Sequence, residues 1–174
     1  MTNRRTFLKT SSLAATALGL GLPQLTLAKN KSDLLFKISL AEWSVNRLLF
    51  SKQLDHLDFP LEAKKHGIQA VEYVNQFFMD KAQDQTYLKE MNTRCENEGI
   101  TQVLIMVDRE GMLGARSDAD RKEAVEKHKK WIEAAKFLGC HTVRVNGYSD
   151  IAWSENPADA TEASKLVTDG IRQL

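Results

Sequence analysis

His66-Gly67-Ile68-Gln69-Ala70-Val71-Glu72-Tyr73, Glu98-Gly99-Ile100-Thr101-Gln102-Val103-Leu104-Ile105 and Leu138-Gly139-Cys140-His141-Thr142-Val143-Arg144-Val145 repeat one pattern. In each, a charged helical stretch ends in glycine and an apolar or alternating run follows at once. The three glycines stand 32 and 40 residues apart. Glycine suits the left-handed residue that ends a helix, and the β-branched residues after it suit a buried strand. Each stretch therefore reads as a helix-to-strand corner.

Helices fill the intervals. Asp58 and Pro60 open a short one running to His66, with proline placed where its missing N–H does no harm. Asp84 caps a second, whose Leu88, Met91 and Cys95 share a face. Ser117 and Asp118 begin a third, with Val125, Ile132, Ala135 and Leu138 in one stripe. Its Lys127, Lys129 and Lys130 alternate with Glu123, Glu126 and Glu133, the pattern of a solvated helix face. Asn156 and Pro157 start a fourth, carrying Leu166, Val167 and Ile171. An earlier strand, Phe36 to Leu40, precedes the first helix.

The order is β-α four times over, so the chain is α/β with a parallel sheet and right-handed crossovers. Ala41-Glu42-Trp43-Ser44 follows the first strand where a nucleotide-binding doubly wound fold would place a glycine-rich phosphate loop. A complete (β/α)8 TIM barrel takes about 250 residues. Residues 29–174 hold four βα units and stop inside a periodic helix, which predicts a partial barrel, its N-terminal half. Exposed first and fourth strand edges would then invite association, so a homo-oligomer is expected.

The N-terminus reads differently. Arg4-Arg5 is followed by Thr6-Phe7-Leu8-Lys9 and by an uncharged, weakly apolar run from Ser11 to Leu22. Thr26-Leu27-Ala28 offers a cleavage site, so residues 1–28 are expected to be a twin-arginine signal peptide, and the chain periplasmic or otherwise exported. The apolar run is about half of the ~20 residues needed to span a bilayer, so no stable membrane association is expected after cleavage. Without the leader's three basic residues, the 24 lysines and arginines become 21 against 23 acidic residues, a net charge of −2. No electrostatic case for nucleic acid remains. Cys95 and Cys140 fall on different apolar elements and read as core residues rather than a disulfide.

Lys37-Ile38-Ser39-Leu40-Ala41-Glu42-Trp43-Ser44, Gly67-Ile68-Gln69-Ala70-Val71-Glu72-Tyr73 and Gly139-Cys140-His141-Thr142-Val143-Arg144-Val145-Asn146 resemble the first, second and fourth strands of the sugar phosphate isomerase/epimerase family, the xylose-isomerase-like barrels. The resemblance runs from about Leu35 to the end. It implies a barrel whose mouth holds a divalent metal (Mn, Mg or Zn), ligated mainly by carboxylates and a histidine of the later strands. Such a metal and an acid/base carboxylate move a proton next to a sugar carbonyl. No metal ligand transfers to this chain, so the metal is expected only in the full-length barrel.

Barrel active faces lie at the C-terminal ends of the strands. The candidates for sugar binding are therefore Glu42 and Trp43 after the first strand, Glu72 and Asn75 after the second, Asp108 and Arg109 after the third, and Asn146 and Tyr148 after the fourth. Glu72 follows the apolar Ala70-Val71, where an acidic residue needs a partner or a task. In the resembled family a glutamate at this place lies in the substrate pocket; the alternative is a structural bond to a neighbouring loop or to Arg144. Trp43 either stacks on a sugar face or covers the barrel mouth. His56, His66 and His128 lie on helical stretches and His141 at the start of its strand, so none is expected to bind metal.

Three function classes remain. The first is a metal-assisted sugar isomerase or epimerase, complete only at full length, with this chain alone inactive. The second is a lyase or hydrolase acting on oxidised sugars through the same barrel. The third is a non-catalytic carbohydrate-binding or partial-barrel protein. The reading frame beyond Leu174 separates the enzymes from the third class, and product analysis separates the enzymes from each other.

Overall fold

The structure, a computed structural model, describes residues 36–152 and 156–174. The proposed leader lies outside the described residues. Within the unit Ile38–Leu174 four strands, β1 (Leu40–Ala41), β2 (Ala70–Val74), β3 (Thr101–Val107) and β4 (Thr142–Val145), are joined through five helices. These are α1 (Asn46–Phe50), α2 (Phe59–Lys65), α3 (Gln85–Glu98), α4 (Asp118–Phe137) and α5 (Pro157–Arg172). All pairings are parallel and the spatial order is β1-β2-β3-β4. Strands that keep stepping in one direction build a barrel wall, whereas a doubly wound sheet reverses its order at a switch point.

The corners are where the repeat puts them. Gly67, Gly99 and Gly139 have φ of 71°, 64° and 72°, a region that side-chain-bearing residues rarely adopt. The caps agree as well: Asp84 accepts from the Tyr87 amide, Ser117 from Asp120 and Asn156 from Ala158.

One buried cluster joins Val71, Tyr73, Ile105 and Val107 of the sheet to Ala63 of α2, Leu88, Met91 and Cys95 of α3, and Trp131, Ala134 and Ala135 of α4. The helices therefore cover the same face. The other face carries Ala41, Glu72, Leu104 and Thr142 in one row and Val74, Met106 and Arg144 in the next. Val71 pairs with Gln102 but Glu72 with Leu104, so Val103 is an extra residue in β3 that resets its phase.

Three expectations need correction. The first strand is only two residues long, and Phe36 and Ile38 are 72% and 55% exposed, because its register with β2 covers Leu40 and Ala41 alone. Ile171 is 45% exposed rather than packed. Helix α5 instead docks through Gly170, where a Cβ would lie 1.9 Å from the Leu113 carbonyl oxygen. On α4 the buried stripe runs through His128 and Trp131, while Ile132 is only half-buried. Cys95 and Cys140 are free thiols, as read.

Candidate functional site

The C-terminal ends of β2, β3 and β4 meet around Asp108. Asn75, wholly buried just past β2, donates to the Asp108 carbonyl and accepts from the Asp108 amide, both at 2.9 Å. Its side chain thus continues the ladder beyond the strand. Gln76 Nε2 reaches Asp108 Oδ2 at 2.9 Å, and Asn146 Nδ2 reaches Oδ1 at 2.6 Å. Arg144 donates to Asn146 Oδ1 at 2.6 Å and stands 3.8 Å from Asp108 Oδ1. Asp108, Asn75 and Asn146 are therefore brought together, with Gln76 and Arg144 as partners that sequence reading had not placed there.

Glu72 lies within β2 rather than after it, because the strand runs on to Val74; it faces the side of the sheet opposite the helices and is half-buried, and Ser39 Oγ donates to its carboxylate. Arg144 does not pair with it. The register puts Arg144 two strands over and one row up, about 10 Å sideways at normal strand spacing. Of the structural alternatives for Glu72, the Arg144 pairing is absent, and the bond present is to Ser39, in the segment just before β1.

Trp43 stands 47% exposed beside Phe50 and Phe77, with ring centroids 6.1 and 6.2 Å away. Phe50 and Phe77 are themselves 5.1 Å apart, so the three rings make an apolar corner next to β1. Tyr148 is 61% exposed, and its carbonyl accepts from the Gly114 amide at 2.8 Å. Arg109 is exposed with φ of 61°.

Glu42 is not at the surface of the mouth. Its side chain has no exposure, one oxygen accepts from the Val74 amide at 2.7 Å, and Oε1 lies 3.3 Å from His56 Nε2. Burial pushes its carboxyl well above the ordinary range, against the lowering effect of the Val74 hydrogen bond. Burial also lowers His56 from 6.5 to about 4, outweighing nearby Asp55. Glu42 and Asn75 thus belong to the wall beneath the mouth rather than to its surface. Sequence reading missed His56, although His56, Phe59, Pro60 and Ala63 recur at the i, i+3, i+4, i+7 spacing of a buried helix face. Glu110 was also missed. It is 6% exposed and receives Trp131 Nε1 at 2.6 Å and Lys130 Nζ at 2.8 Å, which pins the loop after β3 to α4. No local pattern announces that contact.

Among the described residues no three His, Cys, Asp or Glu side chains come together in a way that would hold a metal ion. The inner sheet face and the strand ends present a carboxylate (Glu72), a guanidinium (Arg144), amides and an apolar corner.

A parallel sheet winding in one direction, with its polar groups gathered at the C-terminal strand ends, defines a β/α-barrel protein. Residues 60–174 match the xylose isomerase-like TIM barrel, and the chain belongs to that family. Among solved structures, a crystal structure of D-psicose 3-epimerase in the presence of D-fructose is similar, with a TM-score of 0.58 and 12% identity. That similarity covers 78% of this chain and 46% of the epimerase chain, so the chain spans less than half of that relative's length. At such identity the likeness speaks to the fold. No curated protein sequence matches the chain.

Proposed function

We propose that this chain supplies the first half of the pocket of a sugar isomerase or epimerase, in which a proton moves next to a sugar carbonyl. The observation that carries the reading is the placement of Glu72. Its carboxylate faces away from the helical layer from the middle of β2, in register with the end of β1, with Ser39 as its hydrogen-bond partner. A carboxylate so placed orients a sugar hydroxyl, Trp43 with Phe50 and Phe77 receives the apolar face of the ring, and Arg144 holds an oxygen at the opposite side. Membership of the xylose isomerase-like barrels and the fold likeness to D-psicose 3-epimerase support this reading.

A divalent metal (Mn, Mg or Zn) belongs to the proposal only with ligands from outside this chain. The described residues do not by themselves fit a metal centre. Export by the twin-arginine route, a small sugar as partner and homo-oligomerisation are proposed alongside.

The test is product analysis on the complete barrel with a panel of ketoses, aldoses and oxidised glycosides. Interconversion of epimers or of an aldose–ketose pair, with solvent deuterium entering the carbon next to the carbonyl, is the expected result. Cleavage of oxidised sugars would move the protein to the lyase or hydrolase class, and binding without turnover would move it to the non-catalytic class.

A further inference from the structure

Beneath the mouth lies a buried polar string that the proposed sugar chemistry does not use. Glu42 Oε1 and His56 Nε2 face each other at 3.3 Å, and neither atom has another hydrogen bond among the described residues. Both side chains are enclosed, at 0% and 7% exposure. The string continues from His56 Nδ1 to Tyr87 Oη at 2.8 Å, and the imidazole stacks on Phe78 with centroids 4.6 Å apart.

Hydrogen-bond accounting restricts what this string can be. A carboxylate oxygen and an imidazole lone pair are both acceptors, and a dry contact between them with no proton is repulsive. A neutral carboxyl facing an imidazolium would set two donors against each other. Each arrangement that satisfies both atoms puts one proton between them: on Glu42, with His56 Nδ1–H donating to Tyr87 Oη, or on His56 Nε2, with Tyr87 Oη–H free to donate to Nδ1. Enclosure of the pair disfavours an ionised carboxylate and so favours the first, in which the remaining Glu42 oxygen accepts from Val74 N–H at 2.7 Å.

We propose that Glu42 and His56 hold a single proton between them, and that this latch, completed by Tyr87, fixes the end of β1 and with it the mouth residue Trp43. The pair ties three chain segments together: the turn after β1, the turn before α2, and α3. Trp43 is the next residue after Glu42, and its carbonyl is held by Asn46 Nδ2, so the indole's place on the rim depends on where Glu42 is anchored. Glu42 and His56 are positioning residues. The titratable groups around His56 are Glu42 after β1, Tyr73 of β2, Tyr87 of α3 and its neighbour Asp55, with Lys52 lining the adjoining cleft. The directions agree with the geometry, since burial raises the Glu42 carboxyl and lowers the His56 ring, each toward its neutral form.

The latch bears on function only through the reading of Trp43 as a pocket residue, and its test uses no turnover, so the two ideas fail separately. Histidine side-chain nitrogen NMR on the full chain, between pH 5 and 8, is expected to show His56 as one fixed neutral tautomer protonated at Nδ1. An imidazolium at pH 6, or a titration midpoint near 6.5, overturns the proposal. The indole N–H resonance of Trp43, assigned by loss in Trp43→Phe, reads the positioning. It is expected to be single and unshifted in Glu42→Gln, whose amide donates to Nε2, and to shift or split in Glu42→Leu. Equal spectra for both variants, or equal disturbance, would also overturn it. If the leucine variant does not fold, the titration of the unaltered chain still decides.

Discussion

Asn75 and Asp108 exchange two hydrogen bonds of 2.9 Å, side-chain amide against peptide, so β2 and β3 stay joined one step past the end of their backbone ladder. Asn75 is fully buried, and the peptide it serves carries the carboxylate that Gln76 and Asn146 also hold. Asn75→Leu keeps the volume and strands the N–H and C=O of half-buried Asp108. A loss of about 2–4 kcal/mol is expected in urea unfolding, by the cost of unsatisfied buried groups. A loss below about 0.5 kcal/mol would mean that water replaces the amide without penalty.

Glu72→Gln keeps size and the ability to accept from Ser39, so the melting temperature should hardly move. In the complete barrel turnover should fall by roughly 100-fold, the usual scale for removing a positioned charged group. A large drop in melting temperature with normal turnover per folded molecule would assign Glu72 to the fold.

The Glu42–His56 pair makes a pH signature with opposing signs. The unfolded chain titrates these groups near 4.5 and 6.5, while in the folded chain Glu42 is raised and His56 lowered to about 4. Between pH 4.5 and 6.5 the two groups act in opposite directions: the raised Glu42 carboxyl makes stability fall as pH rises, the lowered His56 ring makes it rise, and the contributions offset. Above 6.5 only the Glu42 effect remains, and stability falls as pH rises until that carboxyl ionises in the folded state, by at most about 1.4 kcal/mol per unit. From 4.5 down to about 4 it falls slightly in the other direction. Glu42→Gln removes the compensation, so stability should decline as pH drops through 6.5. Denaturant melts at half-unit pH steps, subtracting a His56→Gln Glu42→Gln double variant, provide the measurement; a flat Glu42→Gln curve would contradict it.

Gly170 and Gly139 should respond differently to alanine. At Gly139 only the positive φ resists, since no atom lies within 4 Å of the added Cβ, and about 1 kcal/mol is expected. At Gly170 the Cβ meets backbone at 1.9 Å, so α5 must lift from the loop that holds Leu113 and Gly114. A loss of about 3 kcal/mol or more is expected, in the range of severe overpacking. Equal effects in thermal melts would show that α5 is not seated on that loop.

Replacing Arg4 and Arg5 by lysine should leave unprocessed precursor in the cytoplasm, because the paired arginines select the folded-protein route. Fractionation with immunoblotting reads the outcome, and normal processing would remove the export proposal.

The corners, the helix caps and the one-directional β/α order were legible because each is a local demand. A left-handed residue asks for glycine, as at Gly67, Gly99 and Gly139, and a helix start asks for Asp84, Ser117 or Asn156 within three residues of the amide it serves. The mouth was legible only as a set of strand ends. Which way each candidate points depends on sheet phase, and one extra residue, Val103, resets that phase between β2 and β3. Ser39 reaches Glu72 across 33 residues of chain, Arg144 is carried away to Asp108 and Asn146, and Glu42 turns into the wall toward His56. Tertiary structure decided these because register and burial are set by pairing between segments distant in sequence, while propensity and capping act only within a turn of the residue that carries them.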